Sequence, residues 1–226
     1  MRSEEIKPLK IGELTAKRPI IQGGMGVGVS LSSLAGAVAA EGGIGVISTA
    51  QIGFYRPDFE RNPLEANLKA IKEQIVLARE KAKGGIIGAN IMVATRNYKE
   101  YVMAAVRAGV DLIISGAGLP KNLPEYVRES AVKIAPIVSS EKAAKVICRL
   151  WDRKHHCAPD MVVIEGPLAG GHLGFSEKEL EPFVRKDDSA IEQMTTDYGE
   201  EIRRIIRVCR EYGEKYEKEI PVIVAG

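Results

Sequence analysis

Cysteine, aromatic residues and net charge are all scarce in this chain, and each scarcity removes a class of protein. Cys148, Cys157 and Cys209 are odd in number and lack paired spacing, so no disulfide framework is available. They read as reduced thiols of a cytoplasmic protein. Thirty-two basic residues against 30 acidic ones leave a net charge of +2, which supplies no basic face for nucleic acid. No apolar run approaches the roughly 18 residues needed to cross a bilayer, so no membrane association is expected. Residues 1–7 lack the apolar core of a signal peptide. No low-complexity tract or shift in composition marks a linker, and 1–226 reads as a single domain. Catalytic signatures are missing too. No Ser-His-Asp order stands out, and no pair of catalytic carboxylates. His155-His156-Cys157 cannot converge on one ion from a regular helix or strand, so no metal is expected.

What the chain has is alternation. Apolar runs at 19–22, 44–47, 86–92, 111–114, 133–138, 161–164 and 220–225 are separated by helix-like segments. The helical segments are 31–41, 62–83, 98–108, 123–130, 140–153 and 198–215, with Ser140 placed as an N-cap. Continuous apolar strands between amphipathic helices indicate an α/β fold with a parallel sheet covered on both faces. Glycine at 23 residues and aromatics at 5% suit tight strand-to-loop turns. Eight strands close a TIM-type (β/α)8 barrel. The seven found here, the last running up to Gly226, predict an incomplete barrel without its C-terminal strand and helix. The charged stretch 176–197 sits where a lid would sit, or is a solvated excursion.

Glycine and polar groups recur at the carboxyl ends of these strands. Gln22-Gly-Gly-Met-Gly-Val-Gly28 follows the first run, but Val29 stands where the third glycine of a dinucleotide fingerprint belongs. Exposed backbone at Gly23 and Gly24, with the soft side chain of Met25, suits a flat ring system. Asn90 in the third run can donate and accept at once, as a flavin or pyrimidine edge requires. Ser115-Gly-Ala-Gly-Leu-Pro120 ends the fourth run. Glu165-Gly-Pro-Leu-Ala-Gly-Gly-His172-Leu-Gly174 follows the sixth, a glycine loop presenting one titratable histidine. Glu41-Gly-Gly43 reads instead as a helix C-cap. In a parallel barrel all these strand ends share one face, the face that carries active sites.

Together, Pro19-Ile-Ile-Gln-Gly-Gly-Met-Gly26, Asn90-Ile-Met-Val93, Ser115-Gly-Ala-Gly-Leu-Pro120 and the 165–174 loop resemble the nitronate monooxygenases, also called 2-nitropropane dioxygenases. FMN-dependent enoyl-ACP reductases share the motifs. The resemblance implies a TIM-type barrel binding FMN at its carboxyl-end face. It places Gln22, Gly23, Gly24, Met25, Asn90, Ser115, Glu165, Gly170 and Gly171 around the flavin, and Gly226 at the start of the phosphate site. It makes His172 the catalytic residue. The partners it implies are a small nitronate or nitroalkane and O2, and a homo-oligomer is compatible with it. The alternatives are an enoyl-ACP reductase using NADPH and FMN, and an inactive fragment.

Overall fold

Six of the seven apolar runs form one parallel sheet, and the remaining run, the first, contributes a single bridge. The computed structural model describes residues 6–170, 174–175, 177–181 and 189–225. The sheet strands are β3 (Ile44–Ser48), β4 (Ile86–Met92), β5 (Leu112–Gly116), β6 (Lys133–Val138), β7 (Val162–Glu165) and β8 (Val222–Ala225). They lie side by side in chain order, all parallel. Ile21 bridges to Ile44 on the outer side of β3, which extends that order by one position. A doubly wound sheet reverses its order at a switch point. Here every crossover steps the same way, which is the winding of a TIM-type barrel, present as an incomplete barrel.

Two apolar layers follow from the two-residue period of the strands. Ile44, Val46, Leu112, Ile114, Ala135 and Val163 face inward and form the barrel interior. Ile47, Ile87, Ile91, Ile113, Val162 and Ile164 face outward, against the helices. The helices are α1 (Ser32–Ala40), α2 (Pro63–Lys81), α3 (Tyr98–Arg107), α4 (Leu123–Val127), α5 (Glu141–His155), the short α6 (Glu177–Leu180) and α7 (Ser189–Lys215). Ser140 caps α5 by accepting from the Ala143 N–H at 3.3 Å, as its position in the sequence indicates. Gly42 closes α1 at φ +87°, a conformation that favours glycine. Trp151 of α5 is fully buried, and its ring N–H donates to the Pro120 carbonyl at 3.0 Å.

Three features depart from the sequence reading. A hairpin, β1 (Leu9–Ile11) and β2 (Leu14–Ala16), precedes the barrel and inserts Ile11 and Ala16 into its interior. It plugs the end opposite the glycine loops, and Glu13 at its turn pairs with Lys133 at the start of β6. Strands of three residues are too short for their alternation to register. Second, α7 begins at Ser189 rather than at 198, so part of the 176–197 stretch is helix. Third, α6 occupies the beginning of that same stretch. Among the described residues no helix is long and apolar enough to cross a membrane.

Candidate active site

The inward-facing positions at the carboxyl ends of the strands mix polar, glycine and apolar residues. Ser48 ends β3, Asn90 and Met92 end β4, Gly116 ends β5, and all four line a cavity of about 950 Å³. Ser48 and Asn90 are register neighbours on adjacent strands. Across the mouth runs the loop after the bridge residue Ile21, adding Gly24, Met25, Gly26 and Val27 to the wall. Ile137 of β6 and Gly170 after β7 complete the enclosure.

The loop is held from behind. Gln22 accepts from the Val46 N–H at 3.1 Å and donates to the Ser30 hydroxyl at 2.7 Å. Ser30, fully buried, donates to the Gly23 carbonyl at 2.9 Å and accepts from the Met25 N–H at 2.9 Å. Gln22 therefore spends its amide on bracing the loop, and neither it nor the exposed Gly23 lines the cavity. Gly24 is where the wall closes on Asn90. A Cβ at position 24 would stand 2.4 Å from Asn90 Cβ, so only glycine lets the two segments meet.

Asn90 has a committed backbone and an uncommitted side chain. Its carbonyl accepts from the Thr49 N–H at 3.1 Å and the Thr49 hydroxyl at 3.0 Å. Its amide makes no hydrogen bond among the described residues, and neither does the hydroxyl of the buried Ser48 beside it. Both groups open onto the cavity, where the donors and acceptors of a ligand would meet them. Two wall residues, Gln51 and Ala117, hold positive φ of 46° and 51° without being glycine. Such conformations cluster at ligand sites. Ser48 carries no sequence signal of its own, and only its register with Asn90 identifies it.

Ser115 sits on the opposite face of β5. It is fully buried, donates to the Ile91 carbonyl at 2.7 Å and pairs with the Tyr98 hydroxyl at 2.8 Å. Burial pushes the Tyr98 phenol well above its ordinary pKa, so this bond stays neutral. From that turn, Gly116 and Ala117 reach the cavity.

Glu165 anchors the return of the histidine loop. Its carboxylate accepts from the Gly174 N–H at 2.7 Å, and Ser139 donates to the Gly174 carbonyl at 3.0 Å. The Tyr198 hydroxyl of α7 donates to the Glu165 carbonyl at 2.6 Å, tying α7 to the same strand end. Glu165, Ser139 and Gly174 line a smaller cavity of about 370 Å³, which shares Ala117 and Ile137 with the larger one. Gly171, His172 and Gly226 lie outside the described residues. A groove of about 760 Å³ along α5, lined by Lys145, Arg149 and Arg153, reads as a solvated helix face.

The description Nitronate monooxygenase attaches to a family profile that matches residues 7–226. The chain belongs to the nitronate monooxygenase family. That family is one of flavin-dependent oxidoreductases. Solved structures agree on the fold. A FabK variant from Thermotoga maritima is 24% identical, with a TM-score of 0.63 over 92% of this chain and 53% of that one. A nitroalkane oxidase from Streptomyces ansochromogenes is 16% identical, with a TM-score of 0.60 over 91% of this chain and 57% of that one. An IMP dehydrogenase/GMP reductase-like protein from Corynebacterium glutamicum is 13% identical, with a TM-score of 0.60 over 97% and 60%. The chain thus spans a little over half the length of the FabK and nitroalkane oxidase structures that it matches. No curated protein sequence matches it.

Proposed function

We propose that residues 1–226 form one FMN-binding domain of a cytoplasmic enzyme that oxidises alkyl nitronates, and neutral nitroalkanes, with O2. The observation that carries this reading is the cavity wall, where bare backbone at Gly24 is pressed against a strand-end amide that has no partner among the described residues. A flat ring with donors and acceptors along one edge fits such a wall. In this reading Gly24 and Met25 lie against the ring, Asn90 and Ser48 meet its polar edge, and Gly170 and Gly171 approach from the β7 side. Gly226 begins the phosphate end. FMN bound there would supply the electron chemistry, taking electrons from a nitronate and delivering them to O2.

The chain's own groups position the ligands and remove a proton. Gln22 and Ser30 keep the glycine loop rigid, so the wall is formed before a ligand arrives. Glu165 keeps Gly174 in place. His172 is the base in this reading. Gly170 lines the cavity two residues before it, and Gly174 is anchored two residues after it, which supports the assignment. A neutral imidazole removes the α-proton of a nitroalkane, whereas a nitronate has already lost that proton. His172→Ala should therefore lower kcat/KM for a neutral nitroalkane by about 100-fold or more, and for the nitronate by much less. Equal activity of variant and wild type on both substrates would remove His172 from this role.

Retained flavin absorbance after FMN is added and excess removed tests the cofactor assignment directly. NADPH oxidation with a crotonyl thioester, run beside a nitronate assay, separates this reading from the enoyl-ACP reductase that shares its motifs. The cytoplasmic assignment rests on three cysteines that all carry free thiols.

A further inference from the structure

The cavity opens sideways onto apolar side chains that stand exposed among the described residues. Val27 is part of its wall and is 47% exposed. The next residue, Gly28, touches the tip of the Phe54 ring, since a Cβ there would stand 2.7 Å from Phe54 Cζ. Phe54 is itself 47% exposed, and Val29 is 54% exposed. Phe54 is braced from two sides. Its N–H donates to the carbonyl of Gln51, another wall residue, at 2.9 Å. Its ring meets Tyr55 edge-on, with 5.7 Å between centroids. Residues 23–30 and 50–55, which make this lip, contain no charged side chain. A contiguous exposed apolar patch that continues a cavity wall marks a ligand surface rather than chance exposure.

We infer that this lip, built from Val27, Val29 and Phe54, receives the hydrocarbon tail of the substrate. The site then selects straight-chain substrates of medium length over those of two or three carbons. The inference rests on the proposed function for the substrate's reacting head, which lies toward the strand ends, and adds the tail. Burying one methylene completely strengthens binding about fourfold. A lip open to water on one side should give about twofold per methylene.

Straight-chain carboxylates from butanoate to octanoate present a planar anionic head like that of a nitronate, but do not react. Their Kd values on the chain supplied with excess FMN, measured by titration calorimetry, should fall about twofold for each added methylene. In Phe54→Ser and Val29→Ser the gradient should shrink by at least half, with butanoate unchanged. Both residues are about half exposed, and two variants guard against misfolding of either one. A flat series in the wild type, undetectable octanoate binding, or an undiminished gradient in both variants would overturn the inference. Nitronate turnover assayed in parallel keeps the two ideas apart. A graded series without turnover retains the lip and removes the nitronate reading. Turnover with a flat series does the reverse.

Discussion

Asn90 and Gly24 illustrate how one contact serves two ends. Strand β4 brings the amide to the cavity, and the missing Cβ of Gly24 lets the loop come down on it. Replacing Gly24 with alanine would push the loop off the strand end. Gly24→Ala should purify without retained flavin, read as loss of visible absorbance after gel filtration. Asn90→Ala leaves the loop free to sit where it does and removes only the hydrogen-bonding edge. Its FMN affinity should fall about tenfold, the scale of one net hydrogen bond, as measured by flavin fluorescence titration. An unchanged affinity would mean that the amide does not meet the ring. Part of this site is legible as residue types: glycines, a methionine and an asparagine at strand ends. Facing is harder to read. Ser115 lies among apolar residues on a strand buried on both sides, and such a strand does not declare its inner face. Counting by twos from Leu112 puts Gly116 inward and Ser115 outward, but Leu112 is known to be inward only once the barrel is seen.

At the scale of elements, close approach between backbone layers holds the scaffold in place. Gly45 of β3 lies so near α1 that a Cβ would meet the Ala35 carbonyl oxygen at 1.8 Å. Gly45→Ala must separate helix from strand, and should cost about 3 kcal/mol or more of unfolding free energy by urea titration. Ser140→Ala, which removes only the α5 cap, should cost about 1 kcal/mol in the same measurement. The longer elements are visible in sequence because their apolar spacing is sustained over several turns or residues. The β4 and β6 boundaries, 86–92 and 133–138, match their apolar runs. The first run pairs through Ile21 alone: Ile20 and Gln22 make the two bonds of that bridge with Ile44, and ahead of it the Ile20 N–H turns back to the Arg18 carbonyl instead of crossing to β3. Local spacing does not convey that.

For the molecule as a whole, the outer layer carries a pH signature. Burial pushes the thiols of Cys148 and Cys209 up to about 12 from an ordinary value of 9.0. An unfolded chain loses these protons near 9.0, whereas the folded one keeps them. Stability from this source is therefore complete below 9.0 and is lost as pH rises from there toward about 12. Urea midpoints measured from pH 8 to 11 should fall, and Cys148→Ala with Cys209→Ala should flatten that fall. By itself the sequence determined the alternation of strand and helix, the parallel sheet, the family, and the kind of residue waiting at each strand end. These depend on local period and on motif, which a linear chain displays. Only the tertiary structure decided which strand face looks inward, that the β1–β2 hairpin plugs the far end, that Ser48 joins Asn90, and that Phe54 meets Gly28. Each of these is a contact between segments distant in sequence, set by register and winding of the sheet, and no local pattern encodes it.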